Sequence, residues 1–355
     1  MEKSFWTSAD IKQFFKMDQR GKSINSLYNA ESKDEIPKAQ RIQRGKVSVR
    51  QWAIQDIPSI GSKFGFLPKN KQPKVICKYI QKGGVLKTTS TFNEARVFAL
   101  NGLKTLVIGL DFECSITDII SPRSDIQTLE DDHSYSGLYH LFYENASIEE
   151  VVQKTSLPTL DIIPETHDLV RLEKNLSSEK RREYLFRDKL IPKLKDYDII
   201  IFDNGPSWNY LIENALTASN IVICPLGCNL LSYNASATNF NSIIEFQKDM
   251  KLNDQDIIMY ATLLDRSSLA QQIYAQYLSS FSKYIIPIPI RTSVKGQEAI
   301  LEGKSMMEYM PKSGLAQDYY ELVLEVWSKI TKGDVVKTVR KSNSNANIKE
   351  EAMEA

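Results

Sequence analysis

Residues 81–90 read "QKGGVLKTTS". Lys87-Thr88 follows a glycine pair as in a phosphate-binding loop, yet both fixed glycines of the pattern G-x-x-x-x-G-K-[ST] are missing. Gln81 stands at the first position and Leu86 at the second, directly before Lys87. Upstream, "KVICKYI" (74–80) is a short apolar run that suits a strand buried on both faces. Downstream, residues 89–101 read as a helix. In a strand–glycine turn–helix unit, backbone N–H groups and the positive helix end face an anion. Lys87 would then add a charge at the β- and γ-phosphates, and the Thr88 hydroxyl would ligate Mg²⁺. A leucine at 86 is compatible with this at negative φ, with the side chain turned away. A glycine turn that merely caps a helix is the competing reading, and the loop alone leaves both open.

Further apolar runs are "TLVIGLDF" (105–112), "LDIIPE" (160–165), "YDIIIFDN" (197–204), "NIVICPL" (220–226) and "IIMYATLL" (257–264). Helical stretches such as 171–189 fall between them. The alternation predicts an α/β fold, a mostly parallel sheet with helices on both faces, with ligands outside the carboxyl ends of the strands. Two of those ends carry acids: Asp203, where a Mg²⁺–water ligand would sit, and Asp111 with Glu113. A turn aspartate capping a loop explains either one alone. Together with the glycine loop, these strand ends favour nucleotide binding.

The bulk composition narrows the field. The chain has 355 residues, a net charge of +1, 42% apolar and 25% charged residues, as ordinary globular proteins do. It has no global pull toward nucleic acid or membrane, so such binding must come from a local patch. The absence of a long apolar run and of a signal-like N-terminus gives the expectation of a cytoplasmic protein. The cysteines (Cys77, Cys114, Cys224, Cys228) and histidines (His133, His140, His167) show no zinc-ligand spacing.

"KGGVLKTT" resembles the deviant phosphate loop of the ParA/MinD ATPases, whose hallmark is a lysine before the double glycine; Lys82 matches it. "IGLDFECS" is similar to that family's D-x-D-P-Q motif. Asp111 fits the second aspartate, while Gly109, Phe112 and Glu113 replace the first aspartate, the proline and the glutamine. "DIIIFDNGPS" resembles the Walker B strand, and the likeness extends over roughly residues 74–330. The resemblance implies a deviant P-loop NTPase using ATP/ADP and Mg²⁺. It implies a catalytic set of Lys82, Lys87, Asp111 and Asp203, in which Lys82 reaches a dimer partner's phosphates and Asp111 orients the attacking water. It also implies nucleotide contacts from Gly83, Gly84, Val85, Leu86, Lys87, Thr88, Thr89, Pro287 and Ile288, and metal ligation by Thr88 and, through water, Asp203.

Residues 1–70 read as a separate basic unit. "TSADIKQFFK" is a helix capped by Thr7 or Ser8, Gly21 breaks it, and Ser23 caps a second helix. Two basic strand-like pieces then flank Arg44-Gly45-Lys46. Helix, turn, helix and hairpin describe a winged helix-turn-helix, with a dimer-packing hairpin as the alternative. Ser26, Tyr28 and Asn29 are expected at bases, and Arg41, Arg44, Lys46 and Arg50 at phosphates or a minor groove. The segment resembles the domain that large plasmid partition ATPases carry before the phosphate loop. Residues 71–338 are then the ATPase domain and 339–355 a disordered polar tail.

The resemblance implies an ATP-dependent DNA-segregation ATPase that forms a homodimer and binds DNA both at an operator and non-specifically. It implies stimulation by a centromere-binding ParB-type protein, repression of its own operon, and a nucleoid-associated cytoplasmic location without membrane binding. Lys295, Lys304, Lys312 and Lys329 are candidates for the non-specific patch. The alternative is a nucleotide-gated DNA-binding repressor with little or no ATP turnover.

Overall fold

The computed structural model describes residues 5–70, 72–120 and 135–331; the tail expected at 339–355 and the side chain of Arg44 lie outside the described set. β1 (Phe5–Thr7) runs into α1 (Ser8–Phe14). The Thr7 hydroxyl accepts from the Asp10 N–H, and the Asp10 carboxylate accepts from the Thr7 N–H, a reciprocal cap that starts the helix. Gly21, at φ 65, ends the following turn, and Ser23 caps α2 (Ile24–Ser32) in the same way with Ser26. The basic stretch then doubles back as β2 (Gln40–Arg44) and β3 (Val47–Ala53), joined at Gly45 with φ 61. β1 pairs with the other edge of β3, giving a three-stranded antiparallel sheet. α3 (Ile57–Phe64) leads to the main sheet.

Among the described residues that sheet has eight strands: β4 (Lys74–Lys78), β5 (Thr105–Leu110), β6 (Gln153–Lys154), β7 (Leu160–Ile163), β8 (Ile199–Asn204), β9 (Ile221–Gly227), β10 (Asp256–Thr262) and β11 (Ile285–Ile286). Their order is β11-β10-β9-β4-β8-β5-β7-β6, parallel throughout except for β6 against β7. The helices between and after them are α4 (Lys87–Leu100), α5 (Ser115–Ile120), α6 (Leu138–Tyr143), α7 (Ile148–Val151), α8 (Leu169–Leu176), α9 (Tyr210–Ala218), α10 (Leu230–Asp249), α11 (Ser268–Ser280), α12 (Val294–Leu301), α13 (Met306–Tyr309) and α14 (Gly314–Ile330).

Side chains alternate across the sheet. Ile76, Val107, Ile199, Ile201 and Ile223 join the core formed with α4 and α14. Cys77, Leu106, Ile108, Ile200, Phe202 and Val222 join the core formed with α8, α9, α10 and α11. This two-residue period, apolar on both faces, is why each strand reads as an unbroken apolar run. The N-terminal elements share the first core through Trp6, Phe14, Leu27 and Trp52. Arg20 fastens them further, donating to the carbonyls of Phe15, Phe64 and Gly65.

One expected helix is broken. Across 171–189, α8 stops at Leu176, Arg181 takes a left-handed φ of 56, and a 3₁₀ turn (Arg182–Tyr184) and a π turn (Phe186–Leu190) follow. Asn214 on α9 sustains the break: its side chain accepts from the Phe186 N–H and donates to the Arg182 carbonyl. Backbone groups left over by the interrupted helix thus keep partners.

From β4 the chain passes over β8 to form β5 and β7, returns to β8, then crosses to the opposite side for β9, β10 and β11. The reversal opens a crevice at the carboxyl end of β4, the usual ligand position in such sheets. The loop 81–86 lies there.

Candidate nucleotide-binding site

The loop is bent and tied by its own atoms and by two neighbouring elements. Gly84 has φ 70, and Leu86 has φ 62. The negative φ expected at Leu86 is therefore incorrect: this position keeps the left-handed conformation that a glycine usually supplies. Leu86 tolerates it because its side chain branches at Cγ and packs, half-buried, on the α4 side of the sheet. The Leu86 carbonyl accepts from the Ser90 hydroxyl at 2.6 Å. Thr262 on β10 donates to the Val85 carbonyl at 3.1 Å, and Asn239 on α10 donates to the Gln81 carbonyl at 3.1 Å.

Lys87 opens α4 and is buried, with its ammonium folded back on the Lys82 carbonyl at 2.6 Å. Burial pulls its pKa down, while Asp203, Asp111 and Glu113 pull it up. Those acids come from the ends of two other strands, so the structure gathers around one lysine the residues that the sequence had scattered. Gly83 and Gly84 are exposed, and Thr88 and Thr89 are half-buried at the helix start. Lys82 is half-buried too, and its ammonium makes no ion pair among the described residues.

Asp203, near the end of β8, is fully buried. Thr91, one turn beyond Thr88, donates to its Oδ1 at 2.5 Å. Burial lifts its pKa to about 6, against the pull of Thr91, Thr88, Lys78 and Lys87. Its other oxygen, Oδ2, is buried without a well-formed bond. An orphaned carboxylate oxygen near a helix-start hydroxyl fits a hydrated Mg²⁺, which takes few protein ligands and completes its shell with water and phosphate. Among the described residues no cluster of three or more His, Cys, Asp or Glu forms a metal cage of its own.

Asp111 lies just beyond β5, half-buried, with its Oδ1 3.1 Å from where a β-carbon on Gly205 would stand. The Asp111 side chain therefore faces the segment that leaves β8. Phe112 is 44% exposed, Glu113 is exposed, and the Glu113 N–H donates to Asp111 Oδ1 at 3.2 Å. Pro287 and Ile288 follow β11, separated from β4 by β10 and β9. Pro287 is exposed and Ile288 half-buried on the core.

A family model described as an AAA domain matches residues 73–258. The chromosome partitioning protein ParA of Caulobacter vibrioides is 31% identical over 256 residues, 70% of this chain and 92% of the relative. The chain belongs to the ParA-type partition ATPases. ParA of Myxococcus xanthus is 28% identical over 261 residues, 73% of this chain and 89% of the relative. Among solved structures, an ATP complex of Cyanothece McdA aligns with a TM-score of 0.61 at 16% identity, covering 75% of this chain and 98% of that one; this likeness is one of fold. The mostly parallel α/β fold of a ParA-type P-loop ATPase is therefore as the sequence led us to expect.

Sequence reasoning missed several residues of this candidate site. Thr91 was detectable as the next hydroxyl on the Thr88 face of the helix. Thr262 and Asn239 had no sequence signal, because their roles depend on which strand and helix flank β4. Lys78, fully buried, pairs with Glu94 at 2.5 Å and with the Tyr260 hydroxyl at 3.0 Å, locking β4 to α4 and β10. Glu165 was quoted as the end of a strand, but not as a site residue.

The DNA-facing expectations fall into two groups. Asn29, Arg41 and Lys46 are exposed. Ser26 is engaged in the α2 cap. The Tyr28 hydroxyl donates to Ser8, and the Arg50 guanidinium lies 3.8 Å from the centre of its ring. Arg50 also meets the buried Glu31 carboxylate at 2.8 Å. In this state Tyr28 and Arg50 tie the hairpin to α2. Of the lysines considered for a non-specific patch, Lys295 and Lys304 pair with Glu298 and Glu302, while Lys312 and Lys329 are exposed. A cavity of about 720 Å³ lies away from the phosphate loop, between the N-terminal elements and residues 304–313. Among the described residues no helix is long and apolar enough to cross a membrane.

Proposed function

We propose that this chain is a DNA-segregation ATPase whose ATP-bound form is a homodimer that binds DNA. The supporting observation is the convergence of Lys87, Asp203, Asp111 and Glu113 at the crevice beside β4. In this reading the backbone of Gly83, Gly84, Val85 and Leu86 and the amides of Lys87, Thr88 and Thr89 receive the phosphates. ATP draws the Lys87 ammonium from the Lys82 carbonyl onto the β- and γ-phosphates, and Asp111 orients the attacking water. Thr88 and, through water, Asp203 would hold Mg²⁺, which would supply positive charge to the phosphates. Lys82, with no ion-pair partner in the described chain, reaches the partner protomer's phosphates, a contact that ADP cannot reward equally. Pro287 and Ile288 flank the adenine.

The N-terminal unit (residues 1–70) then acts as the operator-binding winged helix-turn-helix that represses its own operon, with the ATPase domain spanning 71–338. Asn29, Arg41 and Lys46 are the exposed residues that favour this reading. A centromere-bound ParB-type protein stimulates hydrolysis, and DNA holds the dimer on the nucleoid.

The test is ATP hydrolysis with and without DNA and the cognate partner, beside Lys87→Ala. A low basal rate that rises with both additions and vanishes in the variant supports the motor. A second reading, a nucleotide-gated repressor, is favoured by exposed Phe112 and by Glu113 placing another negative charge near Lys87. ATP binding with a flat background rate under every condition would select it.

A further inference from the structure

Gly109 and Glu165 occupy one space. β5 lies between β7 and β8, with Gly109 opposite Asp203 and Ile108 opposite Ile163. Glu165, two residues past the end of β7, therefore arrives beside Gly109. A β-carbon on Gly109 would stand 2.4 Å from Glu165 Cγ, 2.5 Å from Cδ and 2.8 Å from Oε1. No residue but glycine fits there while Glu165 holds its place. The backbone of Gly109 is ordinary strand, so the glycine serves the neighbouring carboxyl group rather than a turn.

Glu165 is 4% exposed and spends its oxygens on the segment carrying the water-orienting aspartate. Its Oε1 accepts from the Asp111 N–H at 3.3 Å. Its Oε2 accepts from the Thr117 N–H at 3.1 Å and from the Thr117 hydroxyl at 2.9 Å. The Thr117 hydroxyl in turn accepts from the Glu165 N–H at 2.8 Å. One side chain thus grips both ends of the stretch 111–117, including Phe112 and Glu113. In the motif that this stretch resembles, position 109 carries an aspartate; here the acid comes from another strand.

We propose that Glu165 is a positioning residue for ATP hydrolysis, filling from the end of β7 the space of a side chain at position 109 and holding the Asp111–Thr117 segment in register with the phosphate loop. The proposal rests on the ATPase reading for its kinetic consequence but not for its structural one, and the two are measured separately.

The experiment compares Glu165→Ala, Gly109→Asp and the double variant with the wild type, by steady-state ATP hydrolysis and by amide hydrogen exchange. Glu165→Ala is expected to lower kcat roughly ten- to hundredfold, as small misplacements of reacting groups do. KM should stay within about twofold, because the nucleotide contacts lie elsewhere. The Asp111 and Thr117 amides should exchange faster. Gly109→Asp alone should be impaired by its collision with Glu165. The double variant, which returns a carboxylate to position 109, should recover both rate and amide protection. If Glu165→Ala does not fold, Glu165→Gln, nearly isosteric, tests the hydrogen bonds alone. It should still lower kcat and speed exchange at the Thr117 amide, but Gly109→Asp should not rescue it, because the glutamine keeps the atoms that collide with position 109. Unchanged kcat and unchanged amide protection in Glu165→Ala would overturn the proposal. So would equal losses in the single and double variants that merely follow falling melting temperatures. Should the wild type itself hydrolyse no ATP under any condition, the motor reading fails, and the amide exchange of the double variant still decides whether Glu165 and position 109 share one role.

Discussion

Leu86 holds a φ of 62 with a side chain half-buried on the core. The left-handed backbone costs a non-glycine residue roughly 1–2 kcal/mol, and packing offsets part of that. Leu86→Gly should therefore change stability by no more than about 1 kcal/mol and leave affinity for an ATP analogue within a few-fold. Leu86→Val, branched at Cβ, should lose about 1–2 kcal/mol and bind more weakly. Thermal melts and a fluorescent-nucleotide titration read both, and loss of binding in the glycine variant would refute the strain argument. Glu165 offers a second residue-scale test. Burial, the nearby Asp203 charge adding to it, lifts its pKa to about 8, while the unfolded carboxyl titrates near 4.3. Between those values the folded state binds more protons, so stability is fully present below about pH 4.5 and is lost as pH rises through about 8. The Glu165→Gln variant removes this group's titration. Between pH 5.5 and 8 its stability should decline less than that of the wild type, by an amount on the order of a few kcal/mol at most. Parallel pH dependence in urea melts of both proteins would refute this.

At the scale of elements, the hairpin and α2 separate structural cations from candidate contacts. Arg50 stacks on Tyr28 and pairs with buried Glu31. Arg50→Ala removes the cation beside that carboxylate, leaving it the Ala39 N–H, and should cost about 1–3 kcal/mol. Exposed Arg41 and Lys46 have no such partners among the described residues, so their alanine variants should cost no more than about 0.5 kcal/mol. They should instead weaken DNA binding across sequences and lower its salt dependence. Melting temperature and DNA binding at two salt concentrations distinguish these roles. A binding loss in Arg41→Ala and Lys46→Ala no larger than in a distant surface lysine variant would count against the winged-helix reading. The strands, by contrast, were legible almost to their ends. Each expected run from 74–80 to 257–264 contains a strand, because strands buried on both faces are apolar without interruption. β6 and β11 were missed, since two residues each leave no pattern. The break after α8 was missed because Asn214, which supports it, lies on another helix.

At the scale of the whole molecule, the N-terminal elements and the ATPase sheet share one core. The N-terminal unit therefore cannot turn freely against the sheet without exposing Trp6 and Phe14, both buried. In the function proposed above, a nucleotide-driven change at α4 would reach the β2–β3 hairpin through that packing. Dimer formation belongs to this scale as well. Lys82→Ala should retain ATP binding, because Lys87 is untouched, yet lose ATP-dependent dimerisation in sedimentation velocity. Full dimerisation of the variant would remove the role proposed for Lys82.

The local chemistry was readable in one dimension. Strand runs, caps at Thr7 and Ser23, the glycine pair before Lys87, and acids at strand ends all rest on short-range patterns of residue type. Placement was not readable. Nothing in the order of residues says that β8 inserts between β4 and β5, which brings Asp203 to Thr91 and Gly109 opposite Asp203. Nor does it say that Glu165, 56 positions after Gly109 (165 − 109), fills the space beside it. Such pairings are set by strand order and side-chain volume, which exist only once the sheet has closed and its faces are packed.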